Sequence, residues 1–179
     1  MNKTALLQTI STIVGSKLQL AVLFSFLIFF IPAFVHQQFL TGPIINALLI
    51  LSFIYLGKSK ALFLALIPST VALSRGLLPL ALAPMVPFIM ISNCLYIIIF
   101  AKLQAKSQTK NFLAILLAAL AKTTFLFVIS KLLMEKILVA TLASKIAMMM
   151  SWPQLWTAVV GGIMALLISQ ALQKKYVSR

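Results

Sequence analysis

Lys122 is the residue whose type and position carry the most chemistry. It lies in Leu-Leu-Ala-Ala-Leu-Ala-Lys-Thr-Thr-Phe, near the middle of an apolar run over Phe112–Leu133. A charged side chain at bilayer depth costs at least ~2.5–3.5 kcal/mol and so normally faces a bundle interior or a wet cavity. Snorkelling to an interface is the alternative, but roughly 15 Å of helix on either side makes that reach hard. The chain has a single acid, Glu135, beyond the end of that run. Lys122 is therefore either neutral or neutralised by something outside the chain, a ligand or a partner. Ala118 and Ala114, one and two turns before it, give a small-residue face suited to close helix packing.

Asn93, in Pro-Phe-Ile-Met-Ile-Ser-Asn-Cys-Leu-Tyr, and Asn46 also fall inside apolar runs. Each amide brings two donors and an acceptor that need partners. Hydrogen bonding between helices and contact with a ligand are both open for them. Arg75 either clamps an anion through two N–H groups or sits at head-group level. His36, the one histidine, stands with Gln37 and Gln38; it is either a lid residue that hydrogen-bonds a polar ligand or a wet interfacial side chain. Catalytic devices find no company here. With one His, one Cys, one Glu and no Asp, neither a Ser-His-Asp arrangement nor a zinc or iron site can be assembled. No phosphate-binding lysine motif is present, so an enzyme is not expected.

The elements that position these groups follow from composition. Fifteen Lys/Arg stand against one acid in a chain of 179 residues that is 63% hydrophobic. A soluble domain needs charge of both signs on its surface, so lipid is the solvent that makes this chain sensible. The charge is spread over short intervals without a basic, aromatic-interleaved face, which argues against nucleic acid and for topogenic charge and anionic head groups. Cys94 lies within an apolar run and has no second cysteine to pair with.

Apolar runs fall at Leu18–Val35, Gly42–Leu56, Ala61–Leu73, Met85–Ala101, Phe112–Leu133 and Leu155–Leu172. They predict an all-α bundle of six transmembrane helices over 18–172, with the second and third runs short. Residues 1–17 read as a cytoplasmic or interfacial lead-in and 173–179 as a basic tail. Ten cations (Lys3, Lys17, Lys58, Lys60, Lys102, Lys106, Lys110, Lys174, Lys175, Arg179) fall on one side of that topology. Four (Arg75, Lys131, Lys136, Lys145) fall on the other. The imbalance puts both termini in the cytoplasm.

Two outer connections are unusual. Pro32–Pro43 is polar and turn-rich. Arg75–Pro87 is apolar yet broken by three prolines, and its unpaired backbone groups bar it from facing lipid, so it is buried or lines a cavity. The stretch from Glu135 to Pro153 reads as a mildly amphipathic interfacial segment, with Trp152 and Trp156 as belt residues. Ala158-x-x-x-Gly162 and Gly161-x-x-x-Ala165-x-x-x-Ser169 mark a close-approach face in the last run.

The set of HQQFLTGPIINALL after the first run, RGLLPLALAPMVPFIMISN across the third connection and fourth run, and LLAALAKTT in the fifth resembles the substrate-binding S components of energy-coupling factor (ECF) transporters. The resemblance covers about residues 18–172. It implies a membrane subunit of a prokaryotic plasma membrane that captures a vitamin or related micronutrient near the outer face, without a cofactor of its own. A transmembrane T subunit and two ATPase subunits would be its partners. It further implies that His36, Gln37, Thr41, Asn46, Arg75, Asn93, Lys122 and Trp152 face the substrate. Ala21-Val-Leu-Phe-Ser25 stands where the family carries an Ala-x-x-x-Ala docking pattern, making Ala21 and Ser25 the implied contacts with the T subunit. A subunit of a membrane complex in which Lys122 pairs with another chain's carboxylate is the competing expectation.

Overall fold

The computed structural model describes residues 3–35, 37–137 and 146–177, with side chains described over most of 17–172. Seven α-helices and a short 3-10 segment account for nearly all of these residues. Helix α1 (Lys3–Phe34) is followed by α2 (Gln38–Leu56), α3 (Lys58–Leu64) and α4 (Ile67–Ser74). A 3-10 helix (Leu80–Met85) leads into α5 (Val86–Leu103), and α6 (Gln108–Ile137) and α7 (Trp152–Val177) complete the bundle. Five stretches are long and apolar enough to cross a membrane: Lys17–Phe34, Gln38–Leu56, Leu80–Leu103, Gln108–Leu133 and Ile146–Leu172. This is an all-helical, multi-pass membrane protein.

The third apolar run is folded differently from the rest. Instead of one helix over Ala61–Leu73, the chain forms α3 and α4 with a break at Ala65–Leu66. Pro68, in the first turn of α4, has no N–H to offer the carbonyl one turn back, which is the physical reason for the interruption. Gly57, at φ 89°, turns the chain between α2 and α3, a conformation that costs glycine little.

The first connection is also shorter than its composition predicts. α1 continues to Phe34 and α2 begins at Gln38, so Gln38–Pro43 is helical and only 35–37 link the two helices. Pro43 lies within α2 near its start, where a missing N–H costs less than in mid-helix. At the amino terminus, the backbone of residues 3–17 is continuous with α1.

Side-chain contacts fix which helix ends lie together. Pro32 of α1, Gln38 of α2, Ala72 of α4, Ile89 of α5 and Gln154 of α7 meet around one cavity. At the opposite end, Ala21 and Ser25 of α1 share a shallow groove with Leu56 and Lys60. There too Tyr55 donates to Ser169 of α7 at 3.5 Å, and Gln170 donates to Gln108 at the start of α6. The α3–α4 pair therefore carries the chain from one end of the bundle to the other, in about 25 Å at helical rise.

α2 and α7 form the most extensive contact in the bundle. Gly161 allows it: a Cβ there would overlap the Pro43 carbonyl oxygen and the Asn46 Cβ. Ala158 and Ala165 are fully buried on the same helix, so the small-residue face of the last run is a packing face. Large apolar side chains such as Phe26, Phe29, Leu113, Leu132 and Leu167 are exposed around the outside, an arrangement that lipid tolerates and water does not. The proline-broken third connection is folded inward only in part: Arg75, Pro79, Leu80, Pro84 and Pro87 are exposed, against the expectation that the segment is buried or lines a cavity. Leu82 and Met85 are buried against Leu126, Ile146 and Met150, and Leu77 and Leu78 reach the cavity.

Candidate functional site

Three helices deliver one polar cluster to the core. Lys122, midway along α6, is 2% exposed; Asn46 of α2 and Asn93 of α5 are each 3% exposed. The Lys122 Nζ donates to Asn46 Oδ1 at 2.7 Å and to Asn93 Oδ1 at 2.8 Å. Both amides are oriented by what their NH2 groups do. Asn46 Nδ2 donates to the Gly42 carbonyl at 2.9 Å, and Asn93 Nδ2 donates to the Ala65 carbonyl at 3.3 Å. Each amide oxygen is thereby turned toward the lysine. Ala65 lies in the break between α3 and α4, so Asn93 ties that break to the buried amine.

Tyr96, one turn after Asn93's neighbour Ser92, closes another side. Its ring centroid is 5.4 Å from the Lys122 Nζ, and its hydroxyl donates to the Ala158 carbonyl of α7 at 2.7 Å. A ring face and two amide dipoles solvate a cation, but none supplies a full negative charge. Glu135 is about 20 Å further along the same helix, and its side chain lies outside the described set. Among the described residues, no three His, Cys, Asp or Glu side chains cluster, and the site offers a metal no ligand set.

The cluster floors a cavity of about 110 Å³. Asn46, Asn93 and Lys122 form part of its lining, with Thr41, Gly42, Ser69 and Thr157 above them and Gln38 and Gln154 towards the helix ends. The rest is apolar, including Pro32, Ile45, Leu77, Leu78 and Ile89. Thr41 donates to the Val35 carbonyl at 2.7 Å and Thr157 to the Gln154 carbonyl at 3.2 Å, so both hydroxyl protons are committed to backbone. Ser69 is different: its hydroxyl is buried and has no hydrogen-bond partner.

Of the eight residues expected at a substrate site, the fold brings four to this cavity: Thr41, Asn46, Asn93 and Lys122. Gln37 is exposed at the start of α2. Arg75 ends α4, with its guanidinium 5.6 Å from the Phe34 ring centroid, and is not part of the cavity lining. Trp152 is exposed and packs against Phe39 at 5.7 Å. His36 lies outside the described residues. Ser69, Thr157 and Gln154 line the cavity without having been singled out, and Gln38, named only beside His36, lines it too. Serine, threonine and glutamine near helix ends give little sequence signal, and Ser69 is placed by the Pro68 break. Ala21 and Ser25 lie in the groove at the far end, where Ser25 donates to the Ala21 carbonyl at 2.7 Å.

The fold and the site define a multi-pass helical membrane protein with a lysine–diasparagine cluster buried under a cavity at one end. No protein-family model, curated protein or solved structure matches this chain.

Proposed function

We propose that this protein is a membrane-embedded substrate-capture subunit for uptake of a small polar or anionic micronutrient or vitamin. Its energy would come from partner ATPases through a transmembrane T subunit, as the resemblance to ECF S components implies. The observation that carries the reading is the cavity floored by Lys122, Asn46 and Asn93. It opens at the end of the bundle that holds Arg75, Lys131 and Lys136, opposite the end with Lys58, Lys60, Lys102, Lys106 and Lys110. On the positive-inside rule the cavity faces the exterior of a prokaryotic plasma membrane and both termini are cytoplasmic, with α3–α4 as the sixth crossing. Binding is the whole of its chemistry; ATP hydrolysis belongs to the partners.

The assembly-subunit alternative needs a partner's carboxylate to reach Lys122. The amine is enclosed by α2, α5 and α6 of its own chain, which speaks for a ligand entering the cavity instead. The test is Lys122→Ala in cells, followed for uptake and for association with partner subunits. Capture predicts that uptake is lost while association persists. Loss of association in a variant that still folds would favour the assembly role.

A further inference from the structure

We infer that the cavity takes a small monocarboxylate with an apolar body, its carboxylate bound between Lys122 and Ser69. The inference rests on the capture reading of the same cavity and adds the chemical class of the occupant.

Donors and charge in the lining select the occupant. As an ammonium, the form an anionic occupant would favour, Lys122 brings three N–H groups and one positive charge. Two N–H groups are taken by the amide oxygens of Asn46 and Asn93, leaving one without an oxygen partner among the described residues. Ser69 adds one buried hydroxyl with no partner in the same lining. The Thr41 and Thr157 protons are already donated to carbonyls of their own segments. The floor and the Ser69 hydroxyl above it therefore offer two unused buried donors and one unit of charge, which match the two oxygens and single charge of a carboxylate. A phosphate dianion would bring a second charge and a third terminal oxygen that the buried floor does not satisfy, at a desolvation penalty of several kcal/mol. A cationic ligand would meet the lysine's like charge. Above the floor, Ile45, Leu77, Leu78 and Ile89 are apolar and fit a hydrocarbon body.

The test uses the full chain in a mild non-ionic detergent. Its melting temperature is titrated against butanoate, hexanoate, octanoate and benzoate. Each acid is paired with its primary amide, and inorganic phosphate and hexylamine serve as controls. At least one acid should bind about tenfold or more tightly than its amide, and neither control should compete with it. Asn46→Asp places a carboxylate beside Lys122 and should abolish the preference for acid over amide while the protein stays folded. Ser69→Ala should weaken the acid about three- to tenfold and leave the amide nearly unchanged.

Equal binding of acids and amides, stronger binding of phosphate or hexylamine, or an acid preference that survives Asn46→Asp would each overturn the inference. In those cases the capture reading stands, with a different occupant. If no probe of any class binds, and filling the cavity with Thr157→Trp leaves cellular uptake unchanged, the capture reading falls with it.

Discussion

At the scale of the residue, the molecule turns on how a lysine is kept in a membrane core without an acid beside it. Asn46 and Asn93 orient their oxygens toward Lys122 because their NH2 groups are held by the Gly42 and Ala65 carbonyls. Asn93→Leu removes an acceptor from the ammonium and a donor from the helix break at once. It should destabilise the protein by about 1–3 kcal/mol, read as a lower melting temperature, with more damage than the same change at exposed Gln37. Lys122→Met removes the charge together with its desolvation penalty. It also leaves the Asn46 and Asn93 oxygens buried without their donor, so it should destabilise by about 1–3 kcal/mol as well as abolish binding. Lys122→Met combined with Asn46→Leu and Asn93→Leu should recover part of the stability and none of the binding. Much of this cluster is legible in the sequence, since a Lys and two Asn within apolar runs stand out on composition alone. That the three meet each other is not legible. It depends on helix rotation and packing, which no local pattern records. Ser69 illustrates the other gap, because a serine beside a proline gives no sign that its hydroxyl is buried without a partner.

At the scale of the element, small residues and prolines place the polar groups. Gly161 lets α7 approach α2 closely at Asn46. Gly161→Val should force the helices apart and cost about 1–3 kcal/mol, and it should reduce binding more than an equally destabilising change on the lipid-facing side, such as Leu167→Gly. The small-residue spacing of the last run foretells this contact, although not which helix it meets. The break between α3 and α4 was less readable. An apolar run of thirteen residues with one proline near its middle is compatible with a short helix or a broken one. The structure takes the second form, and Asn93 donates to a carbonyl at the break. The first connection shows the reverse case: polar turn residues over Gln38–Pro43 read as loop, yet they form the first turn and a half of α2 because Pro43 falls near the helix start.

At the scale of the whole molecule, charge and topology set the direction that the proposed capture would take. The six apolar runs were visible in the sequence, whereas the expected burial of the proline-broken connection holds only at Leu82, Met85 and Val86, with Pro79, Leu80, Pro84 and Pro87 exposed. The gathering of α1, α2, α4, α5 and α7 ends around one cavity was not visible, because it depends on which runs become neighbours. With Cys94→Ala as background, a single cysteine at Gly76 should react with a membrane-impermeant thiol reagent added outside intact cells. One at Ser107, between α5 and α6, should react only after permeabilisation. The reverse pattern would place the cavity mouth in the cytoplasm and end the uptake reading.

The most direct measurement is native mass spectrometry of the full chain, gently solubilised from its own host, beside the Lys122→Gln variant. A substrate site built on Lys122 should give one small adduct per chain that is absent from the variant, with T and ATPase subunits retained by both. A chain that stays bare after incubation with host metabolite extract, or an adduct that persists in Lys122→Gln, would contradict a substrate site built on the buried lysine.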